Sequence, residues 1–328
     1  MDIHKKLRNY HFEIARRIGP LDGDALIQYY EEIKEDVIRK KYDKFGIFRK
    51  FIEQLDAEIA EIQKKPKQKS REYDPFDVKR SGDGRVVLFG ISNVGKSTLM
   101  NAITNTDVET GNFLHTTRTA LAGTCEIEEV KIQIVDVPGF LDFKADWAIS
   151  KQILRVARTC DAIALVIDLS TDVKKQYDFL MNQLINARLI IEGIPRYKIG
   201  IVATKGDLPR SKENYAILQK ITDYVIHPIS STNSESLEKL KKFLFQMMEL
   251  IRVYTKAPLK KVDFSSPFVV PIGLTVEELA SKIHKDFVAG FKYAKIWGTS
   301  VDFDGKRVNL THELHDKDII ELFSSKKG

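Results

Sequence analysis

Between about Ala25 and Gln63, apolar residues recur at helical spacing, with Leu26, Tyr29, Ile33, Val37, Phe48, Phe51, Leu55, Ile59 and Ile62 marking one stripe. That spacing keeps side chains on one face of a helix. Gly19, Pro20 and Gly23 separate the segment from a shorter amphipathic stretch at the N-terminus, Asp24 stands where a cap would start it, and Gly46 would break its second arm. Residues 1–66 therefore predict a helical hairpin domain. The stripe reads first as internal packing, and a long helix docking on RNA or a partner protein is the alternative.

From Arg85 the pattern changes. Short runs rich in β-branched residues (Arg85 to Phe89, Val130 to Val135, Ala162 to Ile167, Ile199 to Ala203) alternate with longer helical patterns. Strands separated by helices predict an α/β, mostly parallel, doubly wound sheet whose ligands bind at the C-terminal ends of its strands. A third region has strand-like Phe268 to Pro271, helical Val276 to Phe287, and strand-like Tyr293 to Trp297 and Ile319 to Phe323, the pattern of a small α+β domain. The expected boundaries are a helical domain at 1–66, a basic linker at 67–83, an α/β domain at 84–252 and a C-terminal domain at 253–328.

Composition adds limits. The 328 residues are 43% hydrophobic, enough for more than one core. No uninterrupted apolar run is long enough to cross a bilayer, and the start MDIHKKLRNYHFEIARR lacks a signal peptide's apolar centre, so a soluble cytoplasmic protein without a membrane partner is expected. Cys125 and Cys160 sit in apolar or strand-like stretches and read as buried thiols. His312 and His315 form the one close histidine pair, in a polar segment without the ligands a metal site needs. A net charge of +6 permits attraction to RNA, but acids and bases are interspersed. The clearest basic run, Lys64 to Arg71, reads as an exposed tether, with nucleic-acid contact as the alternative.

The candidate chemistry follows the strands. Gly90-Ile91-Ser92-Asn93-Val94-Gly95-Lys96-Ser97, with Thr98 after it, fits the phosphate-binding pattern GxxxxGK[ST] between a strand and a helix. Its glycines let backbone amides approach phosphates at a helix N-terminus. Lys96 would add positive charge on the β- and γ-phosphates, and the Ser97 hydroxyl would bind magnesium. The strand ending in Asp136-Val137-Pro138-Gly139 would hold magnesium through water at Asp136 and meet the γ-phosphate with the Gly139 amide. In Leu114-His115-Thr116-Thr117-Arg118, Thr117 is placed on magnesium and Thr116 is the second choice. In Thr204-Lys205-Gly206-Asp207, the Asp207 carboxylate would accept from guanine N1–H and the 2-amino group, which adenine does not present. The usual motif begins with Asn, whose amide braces the phosphate loop; Thr204 lacks it, and looser affinity is expected. Lys205 would lay its stem over the base. Ser230-Ser231-Thr232 matches a last guanine loop, with the Ser231 amide reaching O6.

These residues resemble the developmentally regulated GTP-binding proteins, a branch of the Obg group. The resemblance runs through FDVKRSGDGRVVLFG, VGKSTLMNAIT, TTRTALAGTCEIEEVKIQIVDVPG and ARTCDAIALVIDLS. At the C-terminus, LIRVYTK, VEELASKIHKDF and RVNLTHELHDKDII resemble a TGS domain, a ubiquitin-like β-grasp module. The resemblance implies a P-loop GTPase using GTP/GDP and Mg2+, and a switch docking on ribosomes, RNA or a regulatory protein through its helical and TGS domains. The alternative is a scaffold stabilised by nucleotide, with incidental hydrolysis; a P-loop kinase is disfavoured by Thr204 to Asp207. Three departures stand out. The stretch from Phe140 to Ala203 leaves no room for the domain usually inserted there, FLDFKADWAISKQ replaces a glycine-rich switch, and Asn93 stands where serine is common. Phe140 occupies the position at which Ras-type enzymes carry the water-orienting glutamine. Other GTPases with a hydrophobic residue there use potassium held partly by an asparagine placed like Asn93, so a potassium role for Asn93 is expected, against a loop asparagine holding no metal.

Overall fold

The structure, a computed structural model, describes residues 3–17, 23–64, 78–104, 120–139, 153–191, 193–230, 234–257 and 260–325. Strands β1 (Gly84–Phe89), β2 (Leu121–Ile127), β3 (Val130–Asp136), β4 (Ala162–Asp168), β7 (Lys198–Thr204) and β8 (Ile226–Pro228) form one sheet in the order β2-β3-β1-β4-β7-β8. All neighbours pair in parallel except β2, which runs antiparallel to β3. Every residue of β1 and β4 is buried, as a parallel strand covered on both faces requires. Alternation then divides them between two cores: Val87 and Phe89 pack on one face, Val86 and Leu88 on the other.

The sheet contains two strands that the four β-branched runs did not announce, β2 and the three-residue β8. In β2, Gly123 and Glu126 interrupt the apolar run. The strand is held by pairing with β3 through a tight turn at Glu128, whose φ is 49°. A separate two-stranded hairpin, β5 (Ile190–Ile191) with β6 (Ile194–Pro195), precedes β7. From Ile153 to Thr204, the described elements are the helical residues 153–157, β4, the helix Val173–Asn186, this hairpin and β7, with no further domain among them.

Three helices, rather than the two arms expected, form the N-terminal region: α1 (Ile3–Arg17), α2 (Gly23–Arg39) and α3 (Gly46–Lys64). The chain reverses at Lys41, φ 58°, and a 3-10 turn at Tyr42–Lys44, so the break expected at Gly46 lies just before it and Gly46 is the first residue of α3. Tyr29, Ile33, Val37, Phe48, Phe51, Leu55 and Ile59 are buried in one cluster, joined by Leu7 and Ile14 of α1. Packing thus accounts for most of the stripe. Helix α1 also reaches the rest of the chain, through Arg8–Glu249 (3.0 Å), Lys5–Glu313 (3.0 Å) and Glu13–Lys282 (2.6 Å).

At the C-terminus, β9 (Leu250–Thr255), β10 (Phe268–Pro271), β11 (Phe291–Trp297), β12 (Lys306–Val308) and β13 (Asp318–Ser324) form a second sheet in the order β10-β9-β13-β11-β12. Its first strand begins at Leu250, three residues before the expected boundary at Val253. The helix Val276–Ile283 starts with a capping box between Thr275 and Glu278, each side chain satisfying the other's backbone N–H. It ends at His284, so the helix expected to continue to Phe287 is two, the second at Lys285–Ala289. Arg252 of β9, buried among acids, joins the two sheets. It donates to Asp316 from Nε (3.1 Å) and Nη2 (2.6 Å), and from Nη1 to Glu128 in the β2–β3 turn. Both cysteines are buried and neither forms a disulfide. No helix among the described residues is long and apolar enough to cross a membrane.

Candidate nucleotide-binding site

The loop after β1 is shaped by backbone requirements. A Cβ on Gly90 would lie 2.7 Å from the Val166 carbonyl oxygen, and Gly95 has φ 91°, a left-handed conformation that favours glycine. Asn93 is also left-handed, at φ 64°, with an exposed side chain. Gly95 caps helix α4 (Lys96–Ile103), whose first-turn amides have no intrahelical acceptor and form the positive end of its dipole. Val94 is buried in the sheet core, while Ser97 and Thr98 are exposed at the helix start.

Lys96 is 6% exposed, and its Nζ donates to the Ile91 carbonyl at 3.0 Å. Burial lowers its pKa, and the charge of Asp136 opposes the shift. Asp136, at the end of β3, accepts from Ser97 Oγ at 2.5 Å through Oδ2; its Oδ1 is buried without a hydrogen-bond partner among the described residues. Burial raises the pKa of this carboxyl, while Lys96 and Ser97 pull it down. A buried carboxylate with one uncommitted oxygen, beside a hydroxyl, is a donor set that fits a hard divalent cation such as magnesium.

Gly139 lies against the phosphate loop itself. A Cβ there would be 2.6 Å from both the nitrogen and the Cα of Ser92, and Ser92 Oγ donates to the Gly139 carbonyl at 3.3 Å. Only glycine permits this approach of two backbones.

The loop after β7 is tied to the same place. Thr204 Oγ1 has the carbonyls of Val94 (2.7 Å) and Ile167 (3.2 Å) in range, and its single proton favours the shorter contact. Thr204 has no Asn amide to offer, and the hydroxyl it keeps is what reaches the loop, at the Val94 carbonyl. Lys205, left-handed at φ 57°, reaches Asp168 Oδ2 at 2.6 Å and the Asn93 carbonyl at 3.2 Å. Gly206 N donates to the Ile229 carbonyl at 3.2 Å, which brings Asp207, exposed, beside the loop beginning at Ser230. Thr116, Thr117, Phe140, Ser231 and Thr232 lie outside the described residues, as do the segment after Gly139 and most of the basic run at 64–71.

Two supporting residues were missed in the sequence. Asp168, 4% exposed, anchors Lys205 with Oδ2 and accepts from the amide and hydroxyl of Ser170 with Oδ1. Its signal was present: a carboxylate ending the wholly apolar run Ala162 to Ile167. Gln176 holds the Asp168 backbone from both sides, accepting from its amide and donating to its carbonyl, each at 2.9 Å; no local pattern marks it. At the histidine pair, His312 Nε2 contacts Ser300 Oγ at 3.0 Å, and the described residues contain no group of three potential metal ligands.

Residues 85–205 match the family described as 50S ribosome-binding GTPase, and residues 251–324 match the TGS domain. An uncharacterized GTP-binding protein of Methanocaldococcus jannaschii is 27% identical over 383 aligned positions, covering 96% of this chain and 96% of that protein. Developmentally-regulated G-protein 3 of Arabidopsis thaliana is 28% identical, covering 75% of this chain and 84% of its own length. Developmentally-regulated GTP-binding protein 2 of Homo sapiens is 25% identical over 364 positions, covering 91% and 99%. That alignment is longer than this 328-residue chain, so the human relative carries residues absent here, in keeping with the compact run from Ile153 to Thr204. The chain joins a GTPase domain, matched over residues 85–205, to a TGS domain, and over most of its length it is similar to GTP-binding proteins, among them developmentally regulated ones.

Proposed function

We propose that this protein hydrolyses GTP to GDP and phosphate with magnesium and works as a nucleotide-controlled switch on ribosomes or other RNA. The observation that carries the reading is the convergence on one loop: Lys96, Ser97, Asp136 and Gly139 meet the phosphate loop on one side, and Thr204 and Lys205 are bonded to it on the other. In this reading the α4 amides and Lys96 bind the phosphates, Asp207 selects guanine, and Lys205, held by Asp168, covers the base. Ser97, Thr117 and, through water, Asp136 would hold magnesium, which when bound neutralises charge on the β- and γ-phosphates. The Gly139 amide meets the γ-phosphate, so the loop it begins answers to the presence of that group.

Phe140 offers no hydrogen bond to an attacking water. Asn93, exposed on the phosphate loop, is therefore assigned a potassium ion that supplies the charge an arginine would otherwise bring. Phosphate release by the purified protein, measured in potassium and in sodium chloride at matched ionic strength with magnesium present, tests both assignments. Turnover several-fold faster in potassium, and lost as a difference in Asn93→Ser, supports them. Equal rates in the two salts remove the potassium role, and rates at the uncatalysed background remove hydrolysis and favour the scaffold. The 50S ribosome-binding description of the matched family supports the site of action; co-sedimentation with ribosomes that does not differ between GTP and GDP would overturn the switch, since a ligand shifts binding only through unequal affinity for two states.

A further inference from the structure

The C-terminal sheet has an outer face that is only half covered. In β9, Ile251 and Val253 face the core under the sheet, which places Arg252 and Tyr254 on the opposite face. There Arg252 meets Glu128, and Tyr254 Oη lies 3.3 Å from Glu129 Oε2, so the β2–β3 turn covers this half. Farther across, Ala294 and Ile296 of β11 are buried in the core, and Tyr293, Lys295 and Trp297 alternate outward. The strand registers set Tyr293 beside Phe323, Lys295 between Glu321 and Arg307, and Trp297 beside Ile319.

These outward residues form layers. Tyr293 stacks on Phe323 with ring centroids 4.5 Å apart and planes 22° from parallel, and the Arg307 guanidinium lies 4.5 Å from the Tyr293 ring. Lys256 sits 4.6 Å from the Trp297 ring, and Lys295 5.5 Å from that of Phe323. Arg307 is exposed, and the three rings and two lysines are each partly exposed. Among the described residues, the carboxylate carried outward by the strands of this half-face is Glu321, which is 7% exposed and 4.0 Å from Lys256. Among the described residues, the ring and charge partners of these side chains all lie within the C-terminal region itself.

We propose that this half-face binds single-stranded RNA, with unpaired bases stacking on the Arg307 plane and the Trp297 ring, and Lys256 and Lys295 taking phosphates. Aromatic and guanidinium planes on an open sheet are suited to splayed bases, which have a π-face whatever their identity, and the surrounding cations suit the backbone. The excess of cations over the mostly buried carboxylate excludes a basic partner, and the alternating cation and ring layers are completed by another flat ring. The inference deepens the RNA-associated reading above by naming the surface.

The test is fluorescence anisotropy of a labelled short oligouridylate with the full chain at low and moderate salt, alongside Trp297→Ala, Arg307→Lys and Arg307→Glu. Melting temperature, GDP affinity and GTP turnover are followed on the same samples. Loss of a stacking plane should weaken binding by roughly 5-fold or more in both Trp297→Ala and Arg307→Lys, the latter at unchanged charge, with folding and nucleotide binding retained. An RNA duplex of the same length should compete poorly, because its bases are not free to stack. Unchanged affinity in the Trp297 and Arg307→Lys variants, equal competition by duplex, or no oligonucleotide binding at low salt overturns the proposal. If Trp297→Ala does not fold, Arg307→Lys carries the decision. Stack-dependent RNA binding without GTP turnover would remove the hydrolysis reading and leave this one; turnover without such binding would do the reverse.

Discussion

Thr204 Oγ1 donates to the Val94 carbonyl across 2.7 Å, tying the loop that would read the base to the loop that would hold the phosphates. Thr204→Val keeps the shape and removes the proton, leaving a buried carbonyl unpaired at a cost of about 1–3 kcal/mol. GDP affinity, measured by titration with a fluorescent analogue, should fall at least ~5-fold, while Thr204→Asn should retain it. Wild-type affinity in the valine variant would mean that the two loops hold their places independently.

Asp168 and Lys205 act as a pair. Asp168→Asn removes the charge opposite Lys205 Nζ and should weaken guanine-nucleotide binding about 10-fold, given about 1.5–3 kcal/mol for a hydrogen bond to a charged group. Combined with Lys205→Met, the losses should be less than additive, since both remove one interaction. A fully additive double mutant would show that Asp168 serves the loop in some other way.

Asp207→Asn should reverse base preference. The carboxylate accepts from two guanine donors, whereas an amide places its own donor against one of them and suits xanthine's carbonyl. Competition titration should show GTP weakened and xanthosine triphosphate strengthened. Unaltered GTP binding would remove Asp207 from the base site.

Acid should loosen the hold of α1. His11 is 5% exposed, packs on Phe51 and Tyr197, and has no hydrogen-bond partner for Nδ1 among the described residues. Burial first, and the Arg196 charge second, hold its pKa well below 6.5. A base with a depressed folded pKa contributes fully above its unfolded value, and that contribution is lost as pH falls from about 6.5 toward the folded pKa. Thermal scans between about pH 7.5 and 5 should show a steeper decline for the wild type than for His11→Phe, which cannot titrate. Parallel curves would exclude His11 as the source. Arg196 pairs with Glu58 in the same contact, so Glu58→Gln serves as a second comparison.

The chain's local grammar was readable where one segment sets its own geometry. GxxxxGK[ST] demands a tight turn and a helix start, and the structure has Gly90 pressed on Val166, Gly95 left-handed and α4 beginning at Lys96. Four β-branched runs became strands within a residue or two of their expected ends, because strands buried on both faces need little besides apolar side chains. Strand β2 was not readable, since its interrupted apolar pattern is outweighed by seven residue pairs with β3. The third N-terminal arm was blurred for a similar reason: the reversal at Lys41 uses a left-handed lysine rather than a glycine signal.

By itself, then, the sequence determined the class of fold and which strand ends carry the GxxxxGK[ST] and Thr204–Asp207 motifs, because each motif acts over a handful of consecutive residues. Tertiary structure alone decided that Thr204 braces Val94, 110 positions away, that Asp168 holds Lys205, and that Arg252 reaches Glu128 across 124 positions. It also decided which half of the C-terminal sheet the β2–β3 turn covers. Such contacts depend on how separate layers stack, and chain spacing carries no record of that stacking until the layers have packed.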